Sequence, residues 1–172
     1  MTIRLKTIQA VAAIALCTTT IAAAPVSSPT PPSGRALLLI PLTLTKIDDL
    51  RFGTIIPSSS TQVTITIDPS TGVRNASIPS SLYPSDVGGR GQFAGAGSPG
   101  QQVIMALTPA TSLTDGAGNS INVVAMFLDG PATRTIAADQ TFYVGVGGAI
   151  QVAANQPDGL YSSTFGLTAD YQ

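Results

Sequence analysis

Short runs of β-branched and apolar residues, each bounded by Gly, Pro, Asn or Asp, recur along the chain from about residue 36 to its end. In Gln62–Ile67 apolar and polar side chains alternate, the period of a strand with one buried and one solvated face. The turn residues of Asp68–Gly72 follow and predict a hairpin into Val73–Ile78. No window keeps a helical period over three turns. The pattern argues against a helical fold and predicts antiparallel sheets.

The same composition predicts further strands, separated by Gly-, Pro- and Asp-rich turns. They are Gln92–Ala94, Gln101–Leu107, Ile121–Phe127, Thr141–Val146, Ala149–Ala153 and Tyr161–Tyr171. Pro79–Gly100, rich in Gly and Ser, is predicted as a long loop that contains only the strand near Gln92. Eight or nine short strands without a helix are typical of an antiparallel, immunoglobulin-like β-sandwich, and we predict this all-β fold for residues 36–172.

The N-terminal segment has the pattern of a secretory signal. Arg4 and Lys6 precede the apolar run Ile8–Leu16, and the small residues Ala22–Ala24 follow it. The apolar run is too short to span a bilayer. We therefore predict that residues 1–22 are a signal peptide and that residues 23–35, rich in Pro and Ser, are an extended linker. The mature protein is expected to be secreted through the periplasm, to span no membrane and to reach the cell surface or the medium.

Missing residue types remove most catalytic and metal-binding chemistry. The chain has no His and no Glu, and its one Cys, Cys17, lies in the predicted signal. Without His there is no imidazole base or nucleophile system, and zinc and copper lose their commonest ligand. Eight basic residues scattered along the chain form no stripe for nucleic acid. We predict no enzyme, no cofactor, no metal site and no nucleic-acid partner.

Two pairs, Asp48 with Asp49 and Asp115 with Asn119, are candidate oxygen ligands for calcium, and Asp48 with Asp49 is also a candidate acid–base pair for glycoside hydrolysis. Asp115 and Asn119 offer oxygen ligands, but Asp in a turn usually accepts bonds from nearby backbone groups. Asp48 and Asp49 are adjacent, and adjacent side chains on a strand point to opposite faces. Neither pattern predicts a site.

The predicted C-terminal strand is the most regular in the chain. One face carries apolar residues, and we take these, with the preceding glycine, as candidate assembly residues: Gly159, Tyr161, Phe165, Leu167, Ala169 and Tyr171. Gly159 is the fourteenth residue from the end and Tyr171 is the penultimate one. In these features the chain resembles subunits of bacterial chaperone–usher pili. The resemblance implies a structural fibre subunit that forms a homopolymer with the help of a periplasmic chaperone and an outer-membrane usher.

A broader resemblance covers nearly the whole mature chain. Pro41–Thr45, Asp49–Ile55, Tyr143–Gly148 and Gly159–Phe165 resemble, in order and spacing, the bacterial secreted family numbered 4402 among domains of unknown function. That family is similar to spore-coat U-type, archaic pilus subunits. The sequence lacks the cysteine pair of the better-known pilins, and its matching motifs are strand and turn patterns, which specify architecture more than activity.

The segment before the first strand motif is a candidate donor strand for a neighbouring subunit. Ala36, Leu38 and Ile40 share one parity and would present side chains to successive pockets of a groove. Pro41 lacks an N–H and would cost one ladder bond. The alternative is that residues 36–45 form the first strand of a self-complete, monomeric secreted sandwich with a binding or surface-coat role.

Overall fold

The computed structural model describes residues 29–31 and 33–172, so the predicted signal, residues 1–22, and part of the linker lie outside the described residues. The strands are β1 Thr43–Asp48, β2 Val63–Ile67, β3 Arg74–Ala76, β4 Gly91–Ala96, β5 Gln102–Thr108, β6 Ser112–Thr114, β7 Ser120–Leu128, β8 Thr133–Thr135, β9 Thr141–Val152 and β10 Gly166–Tyr171. A 3-10 helix, Pro79–Ser81, lies between β3 and β4 in the described chain. The chain divides into a unit that ends at Leu37 and a compact unit, Leu38–Gln172, that holds every strand.

Strand β9 organises the larger sheet, in which all pairs are antiparallel. One side of β9 pairs first with β4, from Thr141 to Val146, and then with β2, from Gly148 to Val152. On its other side β9 pairs with β7, which also pairs with β6. The outer positions are taken by β1 on β4 and by β3 on β2. Twelve residues of β9 therefore hold together a seven-stranded sheet.

The smaller sheet has the order β10-β5-β8 and faces only half of the larger one. A first core cluster joins both sheets and contains Val103, Met105, Ile136, Phe142, Val144 and Val146. A second cluster lies on β2, β7 and the end of β9 and contains Val63, Ile65, Ile121, Ile150 and Val152. Its partly buried neighbours, such as Phe52, Ile55 and Tyr161, come from connecting segments rather than from the small sheet. Over this half the second layer of the sandwich is made by loops.

Two glycines of β9 let the hairpin before β3 lie directly on the larger sheet. A side chain at Gly145 would collide with the Pro69 carbonyl oxygen, and one at Gly147 would collide with the Ile67 carbonyl oxygen and with Pro69. This close approach buries the outer side of β9 at a point where a strand would otherwise face solvent.

The structure confirms the predicted all-β antiparallel sandwich and corrects several element boundaries. Thr141–Val146 and Ala149–Ala153 are not two strands, because the glycines between them continue the ladder of β9. The first strand starts at Thr43 rather than at Ala36, and β10 starts at Gly166 rather than at Tyr161. The short strands β6 and β8 carry too few residues for a detectable period and were missed.

Candidate strand-binding groove

Two strands that border the first core cluster each have a partner on one side only. Strand β1 pairs with β4, and β10 pairs with β5 in register from Gly166↔Thr108 to Tyr171↔Val103. Among the described residues no other strand pairs with β1 or β10, although the two touch each other. Leu42 and Leu44 from one side and Leu167 and Ala169 from the other pack on the same core cluster. The two strands therefore lie over the same part of the apolar core, with no hydrogen-bonded strand between them among the described residues.

The same arrangement continues beyond the ends of β1 and β10. The segment 49–57 forms isolated bridges at Arg51 and Ile55 with residues 82–89 on one side. The segment 156–165 forms one at Ser162 with Thr114, again on one side. Between the two segments lies a cavity of about 710 Å³. We call the whole gap, between β1 with residues 49–57 and β10 with residues 156–165, the acceptor groove.

The floor of this cavity is apolar and its rim is acidic. The floor is lined by Leu113, Ile121, Val123, Met126, Ile150 and Val152, and the walls add Phe52, Leu160, Tyr161 and Phe165. Phe165 meets Phe93 edge-on at a centroid distance of 6.1 Å, which closes the floor toward β4. The charged lining residues are Asp49, Asp86 and Asp158 against Arg51. The groove therefore suits an apolar extended segment that carries a positive charge.

Arg74 and Asp86 hold the wall segment 49–57 in place. The Arg74 guanidinium donates to the carbonyl oxygens of Phe52 at 2.9 Å, Thr54 at 3.0 Å and Tyr83 at 2.8 Å. Asp86 accepts bonds from the backbone N–H and the hydroxyl of Thr54. The Thr54 hydroxyl, with the backbone N–H of Gly88, holds the pKa of Asp86 below its ordinary value. The segment 49–57 forms only isolated backbone bridges and no continuous β-ladder. Side-chain hydrogen bonds therefore contribute to holding it in position.

At the other end of the groove three residues form what we call the Tyr171 clasp: Tyr171, Ser98 and Ile40. The Tyr171 hydroxyl donates to the Ile40 carbonyl oxygen at 2.6 Å and accepts from the Ser98 backbone N–H at 2.7 Å. The Ile40 backbone N–H donates to the Ser98 hydroxyl at 2.7 Å. The Tyr171 side chain thus ties β10 to the segment that precedes β1 and to the segment that follows β4.

The predicted alternation of the C-terminal segment holds from Phe165 to Tyr171 but is interrupted at Ser163, which has the inward parity and is exposed. Tyr161, Phe165, Leu167, Ala169 and Tyr171 are half-buried, and the residues between them are exposed, although only the part from Gly166 is a strand. Gly159 lines the cavity and has a φ of 152°, in the region that favours glycine.

The candidate donor residues lie in exposed chain before β1. Ala36 and Leu38 belong to no strand, and Leu38 is 87% exposed. Ile40 differs from both, since its N–H and its carbonyl oxygen are taken by the Tyr171 clasp. We call residues 33–39 the arm.

Sequence reasoning missed the wall segment 49–57 and the role of Ser98. Residues 49–57 follow β1 but alternate poorly, and their only backbone partners are isolated bridges far along the chain. Ser98 lies in a Gly- and Ser-rich stretch that reads as a loop. Arg74 is 22 residues from Phe52, so no local sequence pattern predicts the hydrogen bond between them.

Other kinds of site find little support in the part of the chain described. No three His, Cys, Asp or Glu side chains there come close enough to hold a metal ion. None of its helices combines the length and the hydropathy that a membrane crossing requires. A polar recess of about 360 Å³ contains Arg90, but that side chain already donates to the carbonyl oxygens of Pro69 and Ser70.

The comparison with known families gives a match over residues 42–171, to the family described as a domain of unknown function, DUF4402. The chain belongs to this family. The match covers every strand and the whole acceptor groove but begins after the arm. No curated protein and no solved structure matches the chain.

Proposed function

We propose that this member of the DUF4402 family is a structural subunit of a bacterial surface fibre, in which the acceptor groove of one subunit binds the arm of another as an added strand. Two observations carry the proposal: among the described residues β1 and β10 each pair on one side only, and the segments that continue them, 49–57 and 156–165, border an apolar cavity. Unpaired strand edges are an aggregation hazard and are also used for recognition by strand addition. The role is structural rather than catalytic.

The arm has the chemistry that the groove requires. Leu37 and Leu38 are 76% and 87% exposed, an unusual position for two adjacent large apolar side chains. Arg35 is the only charged residue of the arm, and the rim of the groove carries three carboxylates and one guanidinium. The apolar content and the sign of the charge are therefore complementary.

The connection between arm and sandwich favours exchange between two molecules. To enter its own groove beside β1, the arm would have to reverse direction at Leu38–Leu39, immediately before the clasped Ile40. A two-residue reversal between antiparallel strands requires positive φ, which suits Asn or Gly and not leucine. Upstream, Pro31 and Pro32 lack the N–H that a strand contributes to its ladder.

Partners and location follow from the same proposal. The principal partner is a second copy of the chain. An unfilled groove exposes apolar surface, so a periplasmic chaperone would cover it after export and an outer-membrane usher would receive the subunit. Genes for such a chaperone and usher beside the gene for this protein would support this route to the cell surface.

The test uses the exported, purified protein and two matched variants. Leu38→Asp should abolish fibres, because an unpaired carboxylate in an apolar pocket costs several kcal/mol. Leu37→Asp makes the same change at the opposite parity of the arm and should leave fibres intact. Both residues are exposed in the isolated subunit, so both variants should fold. Electron microscopy and size exclusion give the readout, with thermal melts as the test of folding.

A peptide of residues 33–39, the sequence of the arm, supplies the second part of the test. Leu38→Asp should bind it and melt at a higher temperature in its presence, since a ligand that binds only the folded state stabilises it. A wild-type protein that stays monomeric at high concentration, melts cooperatively and ignores the peptide would contradict the proposal. That result would favour the self-complete secreted sandwich.

A further inference from the structure

The Tyr171 clasp crosses the gap that a donated strand has to enter. Tyr171 belongs to β10, on one side of the acceptor groove, and Ile40 continues the line of β1, on the other side. The bond between the Tyr171 hydroxyl and the Ile40 carbonyl oxygen joins two residues 131 positions apart. The cavity lies toward the opposite end, beside residues 156–165. The groove is therefore tied at one end and open at the other.

The residues around the clasp leave no room for a side chain at position 97, which is a glycine. A side chain carbon at Gly97 would lie 2.5 Å from the Tyr171 hydroxyl oxygen and 2.7 Å from the Ile136 side chain. Glycine at this position is what lets the hydroxyl reach the Ser98 backbone N–H. The tyrosine ring itself packs on the first core cluster, so the hydroxyl is aimed by a fixed ring.

We propose that the Tyr171 clasp is a gate that keeps the acceptor groove of an unassembled subunit closed at this end and slows the uptake of a donor strand. The proposal rests on the proposed function, because it concerns the same groove. A strand that runs alongside β10 as far as Tyr171 must take the place of the bond to Ile40. Removing the hydroxyl removes that obstacle while the ring stays in the core.

The rate of peptide uptake tests the gate. Leu38→Asp subunits, which cannot donate, are mixed with a fluorescent peptide of residues 33–39, and uptake is followed with and without Tyr171→Phe. Two hydrogen bonds end on the hydroxyl, and we expect uptake to be about fivefold faster without it. Ser98→Ala, which removes only the bond from the Ile40 N–H, should give a smaller acceleration. Tyr143→Phe removes a hydroxyl from the exposed outer face of β9 and should change nothing.

Amide hydrogen exchange at Ser98 shows whether the clasp exists in the isolated subunit. Its N–H donates to the Tyr171 hydroxyl, so Tyr171→Phe should speed its exchange, and Tyr143→Phe should not. Equal or slower peptide uptake in Tyr171→Phe would overturn the gate and leave the proposed function intact. No uptake by any variant would overturn the proposed function, and the gate with it.

Discussion

All nine acidic residues are aspartate, and in several turns the short carboxylate accepts hydrogen bonds from nearby backbone groups. Asp68 accepts from the backbone N–H groups of Ser70 and Thr71 and from the Thr71 hydroxyl. Asp115 accepts in the same way from Ala117 and Asn119. An aspartate side chain reaches the backbone two or three residues ahead, which a longer side chain does less well. Hydrogen bonds within their own turns therefore engage the carboxylates of Asp68 and of Asp115, the second of which is a candidate calcium ligand in the sequence.

These bonds give the stability a defined pH dependence. The bonds from Thr71 lower the pKa of Asp68, and those from Thr141 lower the pKa of Asp139, from an ordinary value of 3.8. A carboxylate with a depressed pKa in the folded state contributes stability above its ordinary pKa and loses it as pH falls through the folded value. With no His in the chain, we expect a flat melting temperature from about pH 5 to 8 and a fall below about pH 4.

Asp68→Asn tests this expectation against Asp170→Asn, an exposed aspartate on the outer face of β10. Asp68→Asn should melt lower than wild type at pH 7 and converge with it at pH 2, whereas Asp170→Asn should follow wild type throughout. Thermal melts monitored by circular dichroism provide the measurement. A difference in melting temperature that stays constant from pH 7 to pH 2 would mean that the charge of Asp68 does not strengthen the hydrogen bonds of its turn.

At the scale of elements, β9 carries the sandwich. It is the one strand in the described chain that pairs with β2, β4 and β7, and its inward side chains enter both core clusters. Ile150→Ala should lower the free energy of unfolding by about 2–5 kcal/mol, because the side chain is 1% exposed and its loss leaves a cavity. Ile104→Ala, the same change at a site 44% exposed, should cost less than about 1 kcal/mol. Urea unfolding measures both, and equal losses would contradict the assigned core.

The elements also show how far the sequence could predict the structure. β2 is correctly predicted because its alternation is local and one face is buried. The alternation correctly predicts which side chains face inward over residues 165–171, but not at Ser163, which is exposed. An inward face also does not reveal whether a partner strand exists, and residues 161–165 have only one bridge. The Tyr171 clasp depends on contacts between residues 58 to 131 positions apart, for which the sequence has no local signal.

At the scale of the whole molecule, the fold has to be stable without covalent links. Cys17 is the one cysteine, and it lies in the segment that we expect to be removed on export. The exported protein should then show no thiol after treatment with an alkylating reagent, and its melting temperature should be the same with and without reductant. Mass spectrometry should find a first residue near Ala23. An intact Met1 on exported material would contradict the predicted signal.

The position of β9 in the chain sets the order in which the molecule can fold. Val63 of β2 pairs with Val152, and Gly91 of β4 pairs with Val146. Neither strand can therefore pair with β9 until the last third of the chain has been made. Contacts this distant in sequence make folding slow, in the range of milliseconds to seconds. The first 140 residues can form the pairs β1–β4, β2–β3, β5–β8 and β6–β7, but the strand that joins β2, β4 and β7 into one sheet is still absent. In the export that we propose, this order keeps the chain short of its complete fold until β9 has been made.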